Sequence, residues 1–447
     1  MFNTTQKSVD MLHGPLCKKI ICFAIPIALS SMLQQLFNAA DTSVVGQFAD
    51  SNALAAVGTN GEIVALLVTL SAGLSTGANV LIAKYIGEKK TDLISDAIHT
   101  AILFAILSGI CGAVLGQFIT EPLLILIKTP DSVLTAAVMY LRIYFIGCPF
   151  LMLYDFGSAI LRAKVDSGRP FAALTISGVI NVLLNLFFVI VCHLGVAGVA
   201  IATDISTAVS ALLVCIWLFL ERPDFHLSIK KLRIKQECLL PVLTIGIPSA
   251  IQGAVFCFAN IFVQASVNRF GTIAAAGSTI AMNFEYFGYY MITAFGQAAT
   301  TFTSQNFAAG LKKRCRTVLL ICVVSSFIFS ALITVPLTVF RTTFCGFFSP
   351  EDAVISAACV RIMRILLFEP ICGFYEIPAG VLRGTGHSTL PAVLTVIGTC
   401  LLRIAWIFTI FSQTPSLEIL FIIFPVSWVA TIILMWGGFF LKHPLRE

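Results

Sequence analysis

At 447 residues the chain is 58% hydrophobic and only 11% charged, with a mean hydropathy of +0.96, whereas an ordinary soluble domain carries about 25% charged residues. That balance excludes a soluble globular protein and leaves little chain for a soluble domain. The 28 Lys and Arg against 22 Asp and Glu leave a net charge of +6, but the basic residues collect in particular loops, where they report topology rather than nucleic-acid binding.

Met1 to Lys19 is polar and lacks a small-residue cleavage site after a short apolar core, so the first span is expected to serve as its own insertion signal. Apolar runs between polar breaks predict twelve spans, near 20–45, 53–83, 94–118, 133–161, 170–192, 195–219, 239–268, 274–306, 315–342, 353–382, 389–411 and 416–441. Each is long enough to cross a hydrocarbon core of about 30 Å as a helix. The connections alternate in charge. One set holds Lys18 and Lys19; Lys84, Lys89 and Lys90; Arg162, Lys164 and Arg169; Arg222 through Lys235; Lys312 through Arg316; Arg383; and Lys442 and Arg446. The other holds Asp50, Glu121, Lys128, Asp131, His193, Arg269, Glu351, Asp352 and Glu418. The positive-inside rule puts the first set and both termini in the cytoplasm. The 14 cysteines lie mostly inside apolar runs without paired spacing and read as reduced, small hydrophobes.

The longest polar connection lies at the midpoint. It divides the chain into a cytoplasmic N-terminus (1–19), an N-lobe (20–220), a linker (221–238), a C-lobe (239–441) and a cytoplasmic C-terminus (442–447). The lobes repeat one another. Pro26 and Asn38 recur as Pro248 and Asn260; Pro149, Tyr154, Leu161-Arg162 and Pro170 recur at one offset as Pro370, Tyr375, Leu382-Arg383 and Pro391. With six spans each, the lobes share one orientation. The expected fold is therefore all-α: twelve transmembrane helices in two pseudo-symmetric six-helix lobes around a central cavity.

Asp41 is the first acid in the apolar run that begins after Lys19. An Asp at the centre of a membrane helix costs about 2.5–3.5 kcal/mol on insertion scales, so a chain that keeps one generally uses it; an Asp capping the outer end of the helix is the plainer alternative. Depth counting gives it neighbours. Asn181 and Asn185 share one face of the fifth span, and Thr203 and Asp204 fall in the outer half of the sixth. Carboxylate, amide and hydroxyl oxygens suit a desolvated Na⁺, and a buried Asp also carries a proton; interhelical hydrogen bonding is the alternative for the two asparagines. The aligned position opposite Asp41 is Val263, so the carboxylate belongs to one lobe only.

A second group is expected to line the cavity. The repeat makes Asp155 and Glu376 counterparts, each following a tyrosine, Tyr154 or Tyr375. Glu285 and Tyr289 on the eighth span, with Gln35, Asn38, Gln252 and Asn260 on the first and seventh, complete an acidic, aromatic-rich lining suited to organic cations. Arg142, Arg361, Arg364 and Arg403 also fall inside spans, where pairing with these acids is the alternative. Pro26 and Pro248 permit a bend in the first helix of each half. No phosphate-loop pattern is present, and no nucleophile-base cluster or paired histidine ligands occur in the spans. An ion gradient is the energy source this leaves.

The full chain resembles the multidrug and toxic compound extrusion (MATE) family, through Ile25-Pro26, the stretch Gln35 to Gly46, Leu54 to Gly58, Gly73 to Gly87, Leu161-Arg162-Ala163 and Gly195 to Thr203. The resemblance implies two six-helix lobes forming a V-shaped cavity, and export of diverse, often cationic compounds against inward Na⁺ or H⁺, with Asp41 at the position of the family's coupling Asp. It implies no cofactor, a small-molecule organic substrate, membrane lipids as surroundings, a monomer and a bacterial inner-membrane location. Asn185 stands where many members have an Asp, and the seventh span offers Gln252, Asn260 and Gln264 in place of a coupling Glu. Glu285 and Glu376 are then the C-lobe acids expected to couple ions or line the cavity. A lipid-linked saccharide flippase of the same superfamily and a non-transporting receptor or scaffold are the competing readings.

Overall fold

A computed structural model describes residues 11–48, 51–127 and 129–446, without the side chains of residues 51–54. The expectations for Asp50, Lys128 and residues 1–10 lie outside these. Among the described residues the chain is helical and has no strand.

Twelve helices correspond to the twelve predicted spans. They are α1 (Leu16–Phe48), α2 (Ser51–Gly87), α3 (Thr91–Leu126), α4 in two segments (Asp131–Ile146 and Cys148–Ala163), α5 (Gly168–Val191) and α6 (Gly195–Phe219). The second half repeats the series as α7 (Gln236–Asn268), α8 (Thr272–Ala308), α9 (Lys312–Val339), α10 (Asp352–Arg364 and Gly373–Gly384, joined through the turn Glu369–Cys372), α11 (Thr389–Phe411) and α12 (Leu417–Lys442). The repeated prolines explain the two broken helices. Pro149 opens the second segment of α4, which departs from the first by 46°, and Pro370 sits in the turn that interrupts α10. Each removes a backbone donor and clashes with the preceding turn.

Among the described residues, nine of these helices are long and apolar enough to span a membrane by themselves, and the bent α4 makes ten. The remaining two, α8 and α10, are more polar along their length, and like the other helices they bury polar side chains. Along α8 Thr300, Thr301, Thr303, Ser304, Gln305 and Asn306 are buried, and α10 buries Arg361. Their polarity faces protein rather than lipid, as a membrane interior requires.

The chain forms two compact units whose limits differ from the lobe boundaries read from the sequence. One unit is Leu29–Ala250; the other has residues 11–28 and 251–446 as its described part. The change of unit falls inside α1 just past Pro26 and inside α7 just past Pro248, not in the linker. Packing explains it. In the second unit Phe23 at the start of α1 meets Phe302 of α8 edge to face at 5.7 Å. In the first, the start of α7 lies backbone to backbone on α2: a Cβ added to Gly77 would sit 2.0 Å from the Val242 carbonyl oxygen, and one on Gly246 would sit 2.7 Å from that of Leu74.

The units repeat one packing scheme. In the first, α4 packs on α2, α3 and α6, and α5 packs on α6; in the second, α10 packs on α8, α9 and α12, and α11 packs on α12. Even the irregularities recur, since α5 ends in the π-helical turn Phe187–Val191 and α11 in Ile407–Phe411.

Candidate functional site

In the first unit, glycine sets the distance between α1 and α5. A Cβ on Gly178 would overlap the Phe37 ring at 1.8 Å, so the ring lies directly on the α5 backbone. One turn further along α1 and two turns further along α5, Asp41 meets Asn185, whose amide Nδ2 donates to the carboxylate Oδ1. The same Nδ2 lies 3.3 Å from Asn181 Oδ1, one turn back on α5. Asn181 and Asn185 are buried, and Asn185 Oδ1 has no hydrogen-bond partner. A buried amide oxygen without a partner is costly, about 1–3 kcal/mol, unless it has a use.

The other two expected members stand apart from this contact. Thr203 turns its hydroxyl back to the Val199 carbonyl of its own helix at 2.9 Å. Asp204 accepts a hydrogen bond from the Gly147 backbone N–H at the bend of α4, and only glycine leaves room for it there, since a Cβ would fall 2.1 Å from Asp204 Oδ1. What links the carboxylates is a pair that the sequence reading missed. Tyr140, on α4, lies within electrostatic reach of both Asp41 and Asp204. Its ring stacks on Tyr144 at 6.3 Å, and Tyr144 reaches Asp204 and Asp155. The signal was an i, i+4 tyrosine pair on a predicted span.

Of the expected cavity residues in this unit, Asn38 is exposed and Gln35 is half-buried. The Tyr154 hydroxyl donates to the Pro170 carbonyl at 3.3 Å. Asp155 faces Ser71 and Arg162, and its buried Oδ2 makes no hydrogen bond.

In the second unit the expected acidic residues are paired with arginines. Glu285 forms a bidentate pair with Arg361, Nε to Oε1 at 2.7 Å and Nη2 to Oε2 at 2.8 Å. Arg361 also donates to Ser278 Oγ at 2.8 Å and lies over the rings of Phe421 and Phe424. Glu376 pairs with Arg383 at 3.0 Å, and Arg383 donates in turn to Gln252 Oε1 at 3.2 Å. Arg383 was expected in a cytoplasmic connection; instead it lies within α10, largely buried against that carboxylate. Asn260 accepts from Arg403 at 3.3 Å, and the fully buried Arg403 guanidinium sits 4.1 Å from the Phe424 ring centre. Tyr289 stacks on Phe256 with rings 3° from parallel. Glu369 went unnoticed because a Glu before a proline reads as a helix end. It is buried, with Oε2 unpartnered and pressed on Gly288, within reach of Glu285 and Arg361. Three arginines thus balance three glutamates in the interior of this unit.

The helix packing recurs with the repeat, and so does the family signature: the MatE family model matches the chain twice, over residues 26–187 and 248–409, opening at Pro26 and at Pro248. The chain belongs to the MatE family. Among curated relatives, the probable multidrug resistance proteins YoeA and YpnP of Bacillus subtilis are 26% and 28% identical, over 93% and 89% of this chain and 91% and 89% of theirs. A solved structure of a multidrug resistance MATE family transporter of the MOP superfamily, in an outward-facing conformation, superposes with a TM-score of 0.91 at 22% identity and covers 99% of both chains. That likeness shows the fold, and with it the MatE-family architecture of two six-helix lobes. This MatE chain is thus a multi-pass membrane transporter.

Proposed function

We propose that this MatE-family chain is a secondary active antiporter that exports organic cations, drugs or toxic metabolites in exchange for Na⁺ or H⁺, coupled through Asp41. The observation that carries the reading is the hydrogen bond from Asn185 of α5 to the Asp41 carboxylate of α1. A bound proton or cation competes directly with that bond. Protonation removes the acceptor's charge. A Na⁺ would take the Asp41 and Asn181 oxygens, with the Asn185 amide turned to offer the Oδ1 that now lacks a partner. Either event loosens α1 from α5 at this level. Because α1 contributes residues to both units, a change at Asp41 is felt in both, and the lobes alternate in exposing the substrate surface.

Gln35, Asn38, Tyr154 and Asp155 in the first unit, and Gln252, Asn260, Glu285, Tyr289 and Glu376 in the second, are the side chains proposed to meet substrate. Asp204 joins the coupling region through Tyr140, and Thr203, its neighbour on α6, completes the proposed set. In this reading the protein works as a monomer without a cofactor in the plasma membrane, with both termini cytoplasmic in line with the basic loops. One observation favours a second reading. Arg361 and Arg383 are paired with glutamates, but the buried Arg403, held by Asn260 and Ser427, has no carboxylate partner among the described residues and suits an anionic substrate, as a lipid-linked saccharide flippase would need.

Efflux of a fluorescent organic cation from proteoliposomes, with Na⁺ and pH gradients imposed separately, tests the proposal. Export driven by one gradient and abolished in Asp41→Asn is the expected result. Wild-type efflux in that variant overturns the coupling role, and movement of a pyrophosphate-linked lipid without cation efflux selects the flippase.

A further inference from the structure

The linker after α6 is folded back and fastened. Leu227 is buried, and its N–H donates to the Leu218 carbonyl at 3.0 Å. The turn Ile229–Lys231 follows, and α3 pins it from both sides. His99, fully buried, donates from Nδ1 to its own helix at Ser95 O and accepts the Ser228 N–H at Nε2, 2.6 and 3.0 Å. The Thr100 hydroxyl donates to the Arg233 carbonyl and accepts from the Lys235 N–H, both at 3.2 Å. Arg233 and Lys235 together pair with Asp96.

What this rigid turn presents is two uncompensated cations. A cavity of about 460 Å³ opens between it and α3, lined by Lys230, Lys231 and Arg233 on one side and by Asp92, Ser95 and Asp96 on the other. Asp96 is already matched by Arg233 and Lys235. Lys230 and Lys231 are exposed and make no ion pair among the described residues. Beside them Ile229 is 72% exposed, and Leu220 at the end of α6 is 77% exposed. Two such ammonium groups next to protruding aliphatic side chains, at the end of membrane helices, match the phosphate and the acyl chains of a lipid.

We propose that the turn Ile229–Arg233 is a binding site for an anionic phospholipid of the cytoplasmic leaflet. Lys230 and Lys231 hold the phosphate at the cavity mouth, Ile229 and Leu220 lie against the acyl chains, and Asp92 accepts from a headgroup hydroxyl. The glycerol headgroup of phosphatidylglycerol supplies such a hydroxyl. A pre-ordered turn loses little conformational entropy on binding. The inference rests on the proposed topology, which puts this linker on the cytoplasmic side, and is independent of the transported substrate.

The test is competitive lipid retention by the full chain, read by native mass spectrometry with phosphatidylglycerol, phosphatidylethanolamine and phosphatidylcholine in equal amounts. Phosphatidylglycerol should be retained preferentially. A basic residue near an anionic leaflet contributes about 1 kcal/mol, so the double change Lys230→Gln and Lys231→Gln should weaken retention roughly 30-fold. Lys230→Arg with Lys231→Arg should keep the preference, and an unchanged melting temperature in phosphatidylcholine nanodiscs shows that the glutamine variant is folded. Equal retention of the three lipids, unchanged retention in the glutamine variant, or displacement by millimolar inorganic phosphate overturns the proposal. Cation efflux from phosphatidylcholine vesicles reports separately on the antiporter reading.

Discussion

In the first unit the interior carboxylates Asp41 and Asp204 are met by neutral groups; in the second Glu285 and Glu376 are met by arginines. Asp41 has an amide, Asp204 a backbone N–H, and Tyr140 stands near both. Glu285 and Glu376 have guanidinium groups at 2.7 and 3.0 Å. The repeat makes the contrast sharp, because the same positions are used differently. Tyr154-Asp155 and Arg162 align with Tyr375-Glu376 and Arg383, yet only the second set closes into an ion pair. Asn38 is exposed while its counterpart Asn260 is held by Arg403, and the counterpart of Asp41 is the buried Val263. A carboxylate held by neutral donors can trade them for a proton or a cation. One held by a buried guanidinium must first leave an uncompensated charge behind, which costs about 3–5 kcal/mol. The first unit is therefore the one suited to switching, and the second is charge-balanced and stiff.

The largest expected effect tests the second half of that contrast. Arg361→Ala strands Glu285 beside buried Glu369 and removes the guanidinium from Phe421 and Phe424. We expect a loss of about 3–5 kcal/mol of stability, seen as a large fall in melting temperature in detergent, with much of it recovered when Glu285→Leu is added. Asp41→Asn should leave the melting temperature nearly unchanged. If the two single variants are equally destabilised, the contrast between the units is wrong.

How the fold shows through the sequence explains why only half of this was readable. Span length and hydrophobicity announce most helices, and the repeated prolines at Pro26/Pro248 and Pro149/Pro370 mark the two halves because proline leaves the same backbone defect wherever it stands. Asn181 and Asn185 were legible as a pair since helical spacing alone puts them on one face. The exchange of helix segments between units was not, because α1 and α7 are continuous helices and only their packing changes partner. Nor were the pairs Glu285–Arg361 and Glu376–Arg383. The former joins residues far apart in sequence whose register depends on tertiary packing. In the latter, Arg383 closes an apolar run and so reads as a loop arginine, although it lies inside α10.

The next effect acts on the α1–α5 contact itself. Gly178→Val forces Phe37 away from α5, and overpacking of this kind costs about 1–3 kcal/mol. Because Phe37 precedes Asp41 by one turn, the variant should lose gradient-driven efflux, while Phe37→Ala added to it should restore part of both stability and transport. Unchanged efflux in Gly178→Val would separate coupling from the Asp41–Asn185 contact. A milder change sharpens the ion's identity: Asn185→Asp sets a second carboxylate beside Asp41 and replaces the amide donor with oxygen. We expect the sodium concentration that half-activates efflux to fall about tenfold, equivalent to about 1.4 kcal/mol. No change in sodium dependence would argue that Asn185 does not face the coupling ion.

The smallest effect lies outside the membrane, where the first unit does use ion pairs. Glu221, just past α6, pairs with Lys164 and Arg169, and Arg169 also holds Asp166. Burial pushes the Glu221 carboxyl up, but hydrogen bonds and charge from Lys164 and Arg169 outweigh it and hold the group below its ordinary value of 4.5. A carboxyl depressed in the folded state binds protons less readily than in the unfolded chain. Its stabilisation is therefore complete above about pH 4.5 and lost as pH falls through the lower folded value. Melting temperature should hold steady from pH 8 to 5 and drop below that, and Glu221→Gln should flatten the acid limb while lowering stability at pH 7 by about 1 kcal/mol. This cluster makes no contact with the Asp41–Asn185 pair, so cation efflux by Glu221→Gln at pH 7 should match wild type; a loss of coupling there would mean that switching in the first unit is not confined to its neutral-donor carboxylates.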